Sequence, residues 1–188
     1  MHDREIIQLI KADKQNFALL FDQYFVPVKK YILRRVGNYD ISCDIIAETF
    51  LKAYLNIEKF EYRGISLKVW IYRIATNEAN LYFRSRKYTA VNIESLRDFN
   101  SHSLQTTQQE EKEAWEKELE ANRNFKQAQH IINRLPIKYA EVLSLRFFEN
   151  TSIKEIAEIL NKPEGTIKSL CARGLAKVRE QMQPDSET

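Results

Sequence analysis

From Leu81 to Tyr88 the chain sets Arg84, Arg86 and Lys87 among Tyr82, Phe83 and Tyr88, with no acid between them. Guanidinium and ammonium groups beside rings suit single-stranded nucleic acid, whose phosphates meet the cations and whose splayed bases stack on the rings. The same order also suits an ordinary helix end, where cations complement the dipole and rings plug the core. A second basic run spans 166–179, with Lys168, Arg173, Lys177 and Arg179 and again no acid. On one helix these residues would attract phosphate, while Thr166, Lys168 and Ser169 near its start reach for base edges. An amphipathic hairpin in a plain bundle would show the same periodicity. Enzyme chemistry finds no support, because His2, His102 and His130 have no partner at metal-ligand spacing. A glycine-rich phosphate loop and a nucleophile motif are also missing from the sequence. Cys43 and Cys171 stand far apart, so no disulfide framework, metal site or cofactor is expected.

These residues need elements to position them, and composition says which kind. Only four glycines and four prolines punctuate 188 residues, too few turn formers for a sandwich or barrel, so an all-α chain is expected. A hydrophobic content of 44% supplies one ordinary domain or two small ones. No run reaches the roughly 18–20 apolar residues of a membrane span, and the first thirty residues do not read as a leader. A cytoplasmic protein without membrane insertion is expected. The formal charge of +3 is uneven: net +5 over 1–87, −3 over 88–127 and +1 over 128–188. Two small helical parts joined through an acidic, polar connection is the simplest reading, with a basic surface on either part able to meet a polyanion.

Four helices account for the first part. Asp3 or Asp13 can cap helix starts, and Phe17, Leu20, Phe21, Tyr24, Val28, Tyr31 and Ile32 recur at helical spacing. Pro27 falls inside that pattern and predicts a kink or break near Val26. A helix from about Asp40 to Glu58 would bury Ile46, Phe50, Ala53, Tyr54 and Ile57 and present Asp44, Glu48 and Lys52 outward. After a loop with Arg63 and Gly64, Ser66 can cap a helix carrying Leu67, Trp70, Ile71, Ile74 and Ala75. Periodicity is then lost from 89 to about 109, where too few apolar residues offset an ordering cost of roughly 1–2 kcal/mol per residue. A mobile linker is expected there, and helical patterning resumes from Glu110 to Pro136.

Past Pro136 the order is helix, tight turn, longer helix. A segment from about Ile137 to Phe148 closes at Asn150, and Ser152 with Glu155 forms a capping box before Ile153, Ile156, Ala157 and Leu160. Asn161-Lys162-Pro163 then separates a final helix from Glu164 to about Val178. This is helix-turn-helix order, over about 152–179.

The motifs together resemble a bacterial extracytoplasmic-function sigma factor, a minimal member of the sigma-70 family. Asp44-Ile45-Ile46-Ala47-Glu48-Thr49-Phe50-Leu51-Lys52-Ala53-Tyr54 is similar to the family's clamp-binding helix, with Ala47 where Gln is usual. Trp70-Ile71-Tyr72-Arg73-Ile74-Ala75-Thr76-Asn77 resembles the promoter-melting helix. Leu135-Pro136, Glu155-Ile156-Ala157 and Gly165-Thr166-Ile167-Lys168-Ser169 are similar to motifs of the sigma-4 domain.

The resemblance implies a sigma-2-like four-helix domain over 1–88, a polar linker over 89–109 and a sigma-4-like helix-turn-helix domain over 110–188. It implies a factor that binds core RNA polymerase and recognises promoter DNA, duplex and single-stranded, with an anti-sigma factor as a further partner. Asp44, Glu48 and Lys52 would meet the polymerase. Arg63, Gly64, Arg73, Asn77, Arg84, Arg86 and Lys87 would serve the minus-ten element, with Asn77 and the 61–66 loop forming a pocket for a flipped base. Thr166, Lys168, Ser169, Arg173 and Lys177 would read the minus-thirty-five element, with Leu170 standing where relatives often have Arg. The competing reading is a stand-alone helix-turn-helix regulator, with a helical adaptor behind it.

Overall fold

The computed structural model describes residues 2–62, 64–90, 107–121 and 123–182. Among them the chain is all-α. The helices are α1 (Asp3–Ala12), α2 (Phe17–Val36), α3 (Tyr39–Asn56), α4 (Leu67–Ala90), α5 (Thr107–Ala121), α6 (Arg123–Arg134), α7 (Ile137–Leu143), α8 (Ile153–Leu160) and α9 (Glu164–Met182). The polar linker expected over 89–109 falls mostly outside the described residues, as does Arg63.

Local chemistry fixes the helix ends. Asn38 Oδ1 accepts from the Ile41 N–H at 3.0 Å to start α3, and Gly37, at φ 74°, ends α2 in the left-handed conformation glycine tolerates. Asp13 caps the short 3-10 turn Lys14–Asn16 through the Gln15 N–H. Asp3 lies in the first turn of α1 instead of capping it, and its Oδ2 accepts from the Leu67 N–H at 2.8 Å. It thereby satisfies an orphan donor at the start of α4, beside Ser66 Oγ on the Val69 N–H.

The break expected near Val26 does not occur, and α2 runs unbroken through Pro27. Gln23, Val26 and Pro27 are all exposed, which puts the proline on the solvent side of α2, where water can replace the donor that the Gln23 carbonyl loses. Tyr54, expected in the core, is 38% exposed, its ring edge-on to Phe17 at 5.3 Å.

α2, α3 and α4 pack on one another around Leu20, Val28, Tyr31, Ile32, Phe50, Ala53, Ile71 and Ala75. α7, α8 and α9 enclose Leu143, Leu145, Ile156 and Ile167. Gly174 lets α9 approach α7: a Cβ there would stand 3.0 Å from Leu143 Cδ1. Between α7 and α8 the chain continues as a π turn, Ser144–Phe148, and reverses at Asn150, at φ 49°.

The two groups of helices do not stand apart. α4 packs on α7 and α8, and α2 on α6 and the π turn. α5, most of which the expected division places in the second part, lies against the first. Trp115 meets Tyr39 at 6.3 Å, Lys112 Nζ reaches Asp40 Oδ2 at 2.8 Å, and Glu111 accepts from Tyr39 and Lys29.

Candidate functional site

Three surfaces gather the residues singled out by the sequence. The first is a cleft of about 540 Å³ where the end of α3 and the following loop meet α4. It is lined by Lys52, Asn56, Lys59, Phe60, Glu61, Ile65, Trp70, Arg73, Ile74, Asn77 and Glu78, so Asn77 and the 61–66 loop come together as expected. Phe60 and Trp70 stack obliquely at 4.8 Å and give it an aromatic wall. Gly64, at φ 81°, turns the loop without a side chain in the way.

Lys52 joins this cleft, although its spacing groups it with Asp44 and Glu48. Its Nζ keeps the i, i+4 pair with Glu48 Oε1 at 3.2 Å and bonds Glu78 Oε2 at 2.6 Å. The Glu78 hydrogen bond raises the pKa of the Lys52 ammonium, keeping it charged. Cross-helix contact of this kind is invisible to a periodicity argument confined to α3.

The second surface is the outer face of α3. Asp44 is exposed and Glu48 partly so, as expected, but the same face carries an apolar stripe that the charges concealed. Ala47, Leu51 and Leu55 repeat every four residues, with Leu51 51% and Leu55 56% exposed. The signal was present as an i, i+4 leucine pair outside the buried stripe.

The third surface is α9. Ile167, Leu170 and Val178 face inward, whereas Thr166, Lys168, Ser169, Arg173 and Lys177 are exposed along the other side. Ser152 Oγ and Glu155 cap α8 reciprocally, and Asn161, at φ 52°, sets the turn that presents α9. Cys171 is partly buried beside this core, and burial raises its thiol pKa, the opposite of a reactive thiolate.

Arg84 is exposed on α4, and the side chains of Arg86 and Lys87 lie outside those described. Arg73 is engaged: its Nη2 donates to the Glu158 carbonyl at 2.6 Å and its Nε to the Ile159 carbonyl at 3.3 Å. These are carbonyls at the end of α8, where the dipole is negative. A row of similar bonds joins the halves: Lys68 to Glu155, Tyr72 to Glu149, Asn80 to Glu141, Arg34 to the Phe148 carbonyl and Arg35 to Asn133. The seam is polar and incompletely paired. Asn80 Oδ1, Ser144 Oγ, Glu149 Oε1 and Thr151 Oγ1 are buried without a hydrogen bond among the described residues. Burial raises the Glu149 pKa against the Tyr72 hydrogen bond and the Arg34 charge. It also pushes Tyr31, bonded to Thr76 at 3.0 Å, up to about 12.

Residues 20–89 match the family model "Sigma-70 region 2" and residues 125–178 match "Sigma-70, region 4". The chain is 31% identical over 186 residues to the ECF RNA polymerase sigma factor SigW of Bacillus subtilis, covering 97% of each. The chain belongs to the ECF sigma factors of the sigma-70 family. It is also 30% identical to the ECF RNA polymerase sigma-E factor of Haemophilus influenzae, with 97% of this chain and 96% of that one covered. Among solved structures, CnrH in complex with the cytosolic domain of CnrY shares the fold at a TM-score of 0.68 and 16% identity, covering 98% and 99% of the chains. This ECF sigma factor is a non-enzymatic subunit that binds core RNA polymerase and directs initiation at promoters through minus-thirty-five and minus-ten elements. The stand-alone regulator is not favoured, because regions 2 and 4 both occur, in order.

Proposed function

We propose that the three surfaces divide the work of this sigma factor. The outer face of α3, with Asp44, Glu48 and the Leu51–Leu55 stripe, docks on core polymerase, where buried leucines supply area and the acids set register. The α3–α4 cleft seats an unpaired base of the minus-ten non-template strand, with Asn77 offering a donor and an acceptor and Gly64 allowing close backbone approach. Arg63, Arg84, Arg86 and Lys87 hold the strand's phosphates, and Arg73 joins them once α8 moves off it. α9 enters the major groove of the minus-thirty-five element with Thr166, Lys168, Ser169, Arg173 and Lys177. The observation that carries this reading is the cleft: it brings Asn77 and the loop before α4 together around a polar, aromatic-walled space.

The corresponding division is a sigma-2-like domain over 1–88, a linker over 89–109 and a sigma-4-like domain over 110–188, supported by the matched spans 20–89 and 125–178. The protein works in the cytoplasm; no helix among the described residues is long and apolar enough to cross a membrane. An anti-sigma factor holds it inactive, by analogy with RpoE of Bartonella quintana, whose structure contains the anti-sigma factor NepR.

Transcription in vitro from a genomic promoter library, with cognate core polymerase and core alone as control, tests the proposal. Start sites sharing a two-element motif, present only with the protein, are expected. Holoenzyme that yields no dependent starts on naked templates would overturn the promoter-reading assignments.

A further inference from the structure

Lys52 is held in a way that neither phosphate binding nor a surface ion pair explains. An ammonium has three N–H donors, and Glu78 at 2.6 Å and Glu48 at 3.2 Å account for two. The third has no partner among the described residues, and Lys52 lines the Asn77 cleft. The two carboxylates outweigh the single ammonium, so the group as a whole repels phosphate at close range. Its remaining donor fits a neutral acceptor. Glu78 is the stronger anchor: its side chain is 11% exposed and comes from α4, so it fixes Lys52 relative to Asn77, its own neighbour in sequence. Asn56, one turn beyond, donates Nδ2 to the Lys52 carbonyl at 2.8 Å.

We propose that Glu78 is a positioning residue that aims the free N–H of Lys52 at O6 of guanine or O4 of thymine on the unpaired base in the cleft, so that the cleft favours guanine or thymine over adenine or cytosine. Guanine O6 and thymine O4 are acceptors, whereas adenine N6 and cytosine N4 are amino groups in the corresponding place and would set donor against donor. The inference rests on the cleft being the seat of a minus-ten base. Without the α4 carboxylate, Lys52 is a flexible surface lysine that swings to phosphate and reads nothing.

The test uses holoenzyme and a promoter randomised across the minus-ten non-template strand, with open complexes quantified for each base at each position. The wild type should disfavour adenine and cytosine at one position by about fivefold or more. Lys52→Met should abolish that discrimination, and Glu78→Gln should reduce it by at least half, with an unchanged thermal midpoint as the folding control. Should Glu78→Gln fold poorly, Lys52→Met alone decides the donor's role, because its partly exposed side chain is replaced by one of similar length. A wild-type base profile in both variants, with Asn77→Ala altering that profile, would overturn the Lys52–Glu78 assignment and leave the cleft in place. Unchanged opening on every promoter variant in all three proteins would overturn the cleft itself.

Discussion

Tyr72 Oη donates to Glu149 Oε2 at 2.9 Å across the seam between the two halves of the chain. It is the one hydrogen bond that this carboxylate receives among the described residues; Oε1 has none, and Arg34 Nη1 stands 3.8 Å away. Removing a partner from a buried charged group costs its desolvation, about 1–3 kcal/mol. Tyr72→Phe should therefore lower the unfolding free energy by about that amount, read as a lower urea midpoint at unchanged slope, and adding Glu149→Gln should recover part of the loss. Equal stability of Tyr72→Phe and wild type would show that the seam contributes little to the free protein.

The Lys68 bond to Glu155 Oε1, 2.8 Å long, together with the hydrogen bonds from Ser152, lowers the Glu155 carboxyl from 4.5 to about 2, against the opposing effect of burial. The folded value lies below the unfolded one, so this pair's stabilisation is whole above pH 4.5 and is lost as pH falls toward 2. The side chains are 42% and 35% exposed, so solvent screening holds the contribution below about 1 kcal/mol. Glu155→Gln keeps the reciprocal cap with Ser152 but not the charge. Its thermal midpoint should vary less than the wild type's between pH 4.5 and 2, a difference that added salt should shrink.

Leu51 and Leu55 bury little in the free protein, so replacing either with Asp should leave the thermal midpoint unchanged. Each change should weaken core-polymerase binding about tenfold or more, or about 1.4 kcal/mol, as titration of labelled protein with core would read. Wild-type affinity in both variants would take the stripe out of the interface.

Lys168→Ala and Arg173→Ala should each weaken binding to minus-thirty-five duplex by about 1–3 kcal/mol if the side chain meets a base edge, with core binding intact. A contact to phosphate alone would instead lower affinity evenly across sequences and reduce the salt dependence by about one unit of slope.

Periodicity made the helices legible because each buries a stripe of its own: Ile46, Phe50 and Ala53 on α3, and Ile167, Leu170 and Val178 on α9, are buried. Caps such as Ser152 and Ser66 were legible for the same local reason. Contacts between helices were not. Nothing in the spacing of Lys52 announces Glu78, twenty-six residues on, and nothing in Arg73 announces the end of α8. Pro27 does not interrupt α2, because the cost of a helical proline depends on whether the freed carbonyl meets water, a matter of which side of α2 faces out. The motifs shared with the sigma-70 family located Asn77 in the cleft, but the partners that hold its neighbours are set by packing.

Arg73 has one guanidinium, and α8 already occupies two of its N–H groups. A nucleic-acid strand that needs the same donors competes with the protein's own helix end, so its apparent affinity is scaled by the fraction of molecules in which α8 has let go. A seam favouring contact by about 2.7 kcal/mol would weaken strand binding roughly a hundredfold. By reciprocity, any partner that prefers the separated halves would restore it by the same factor, with no new contact to the strand.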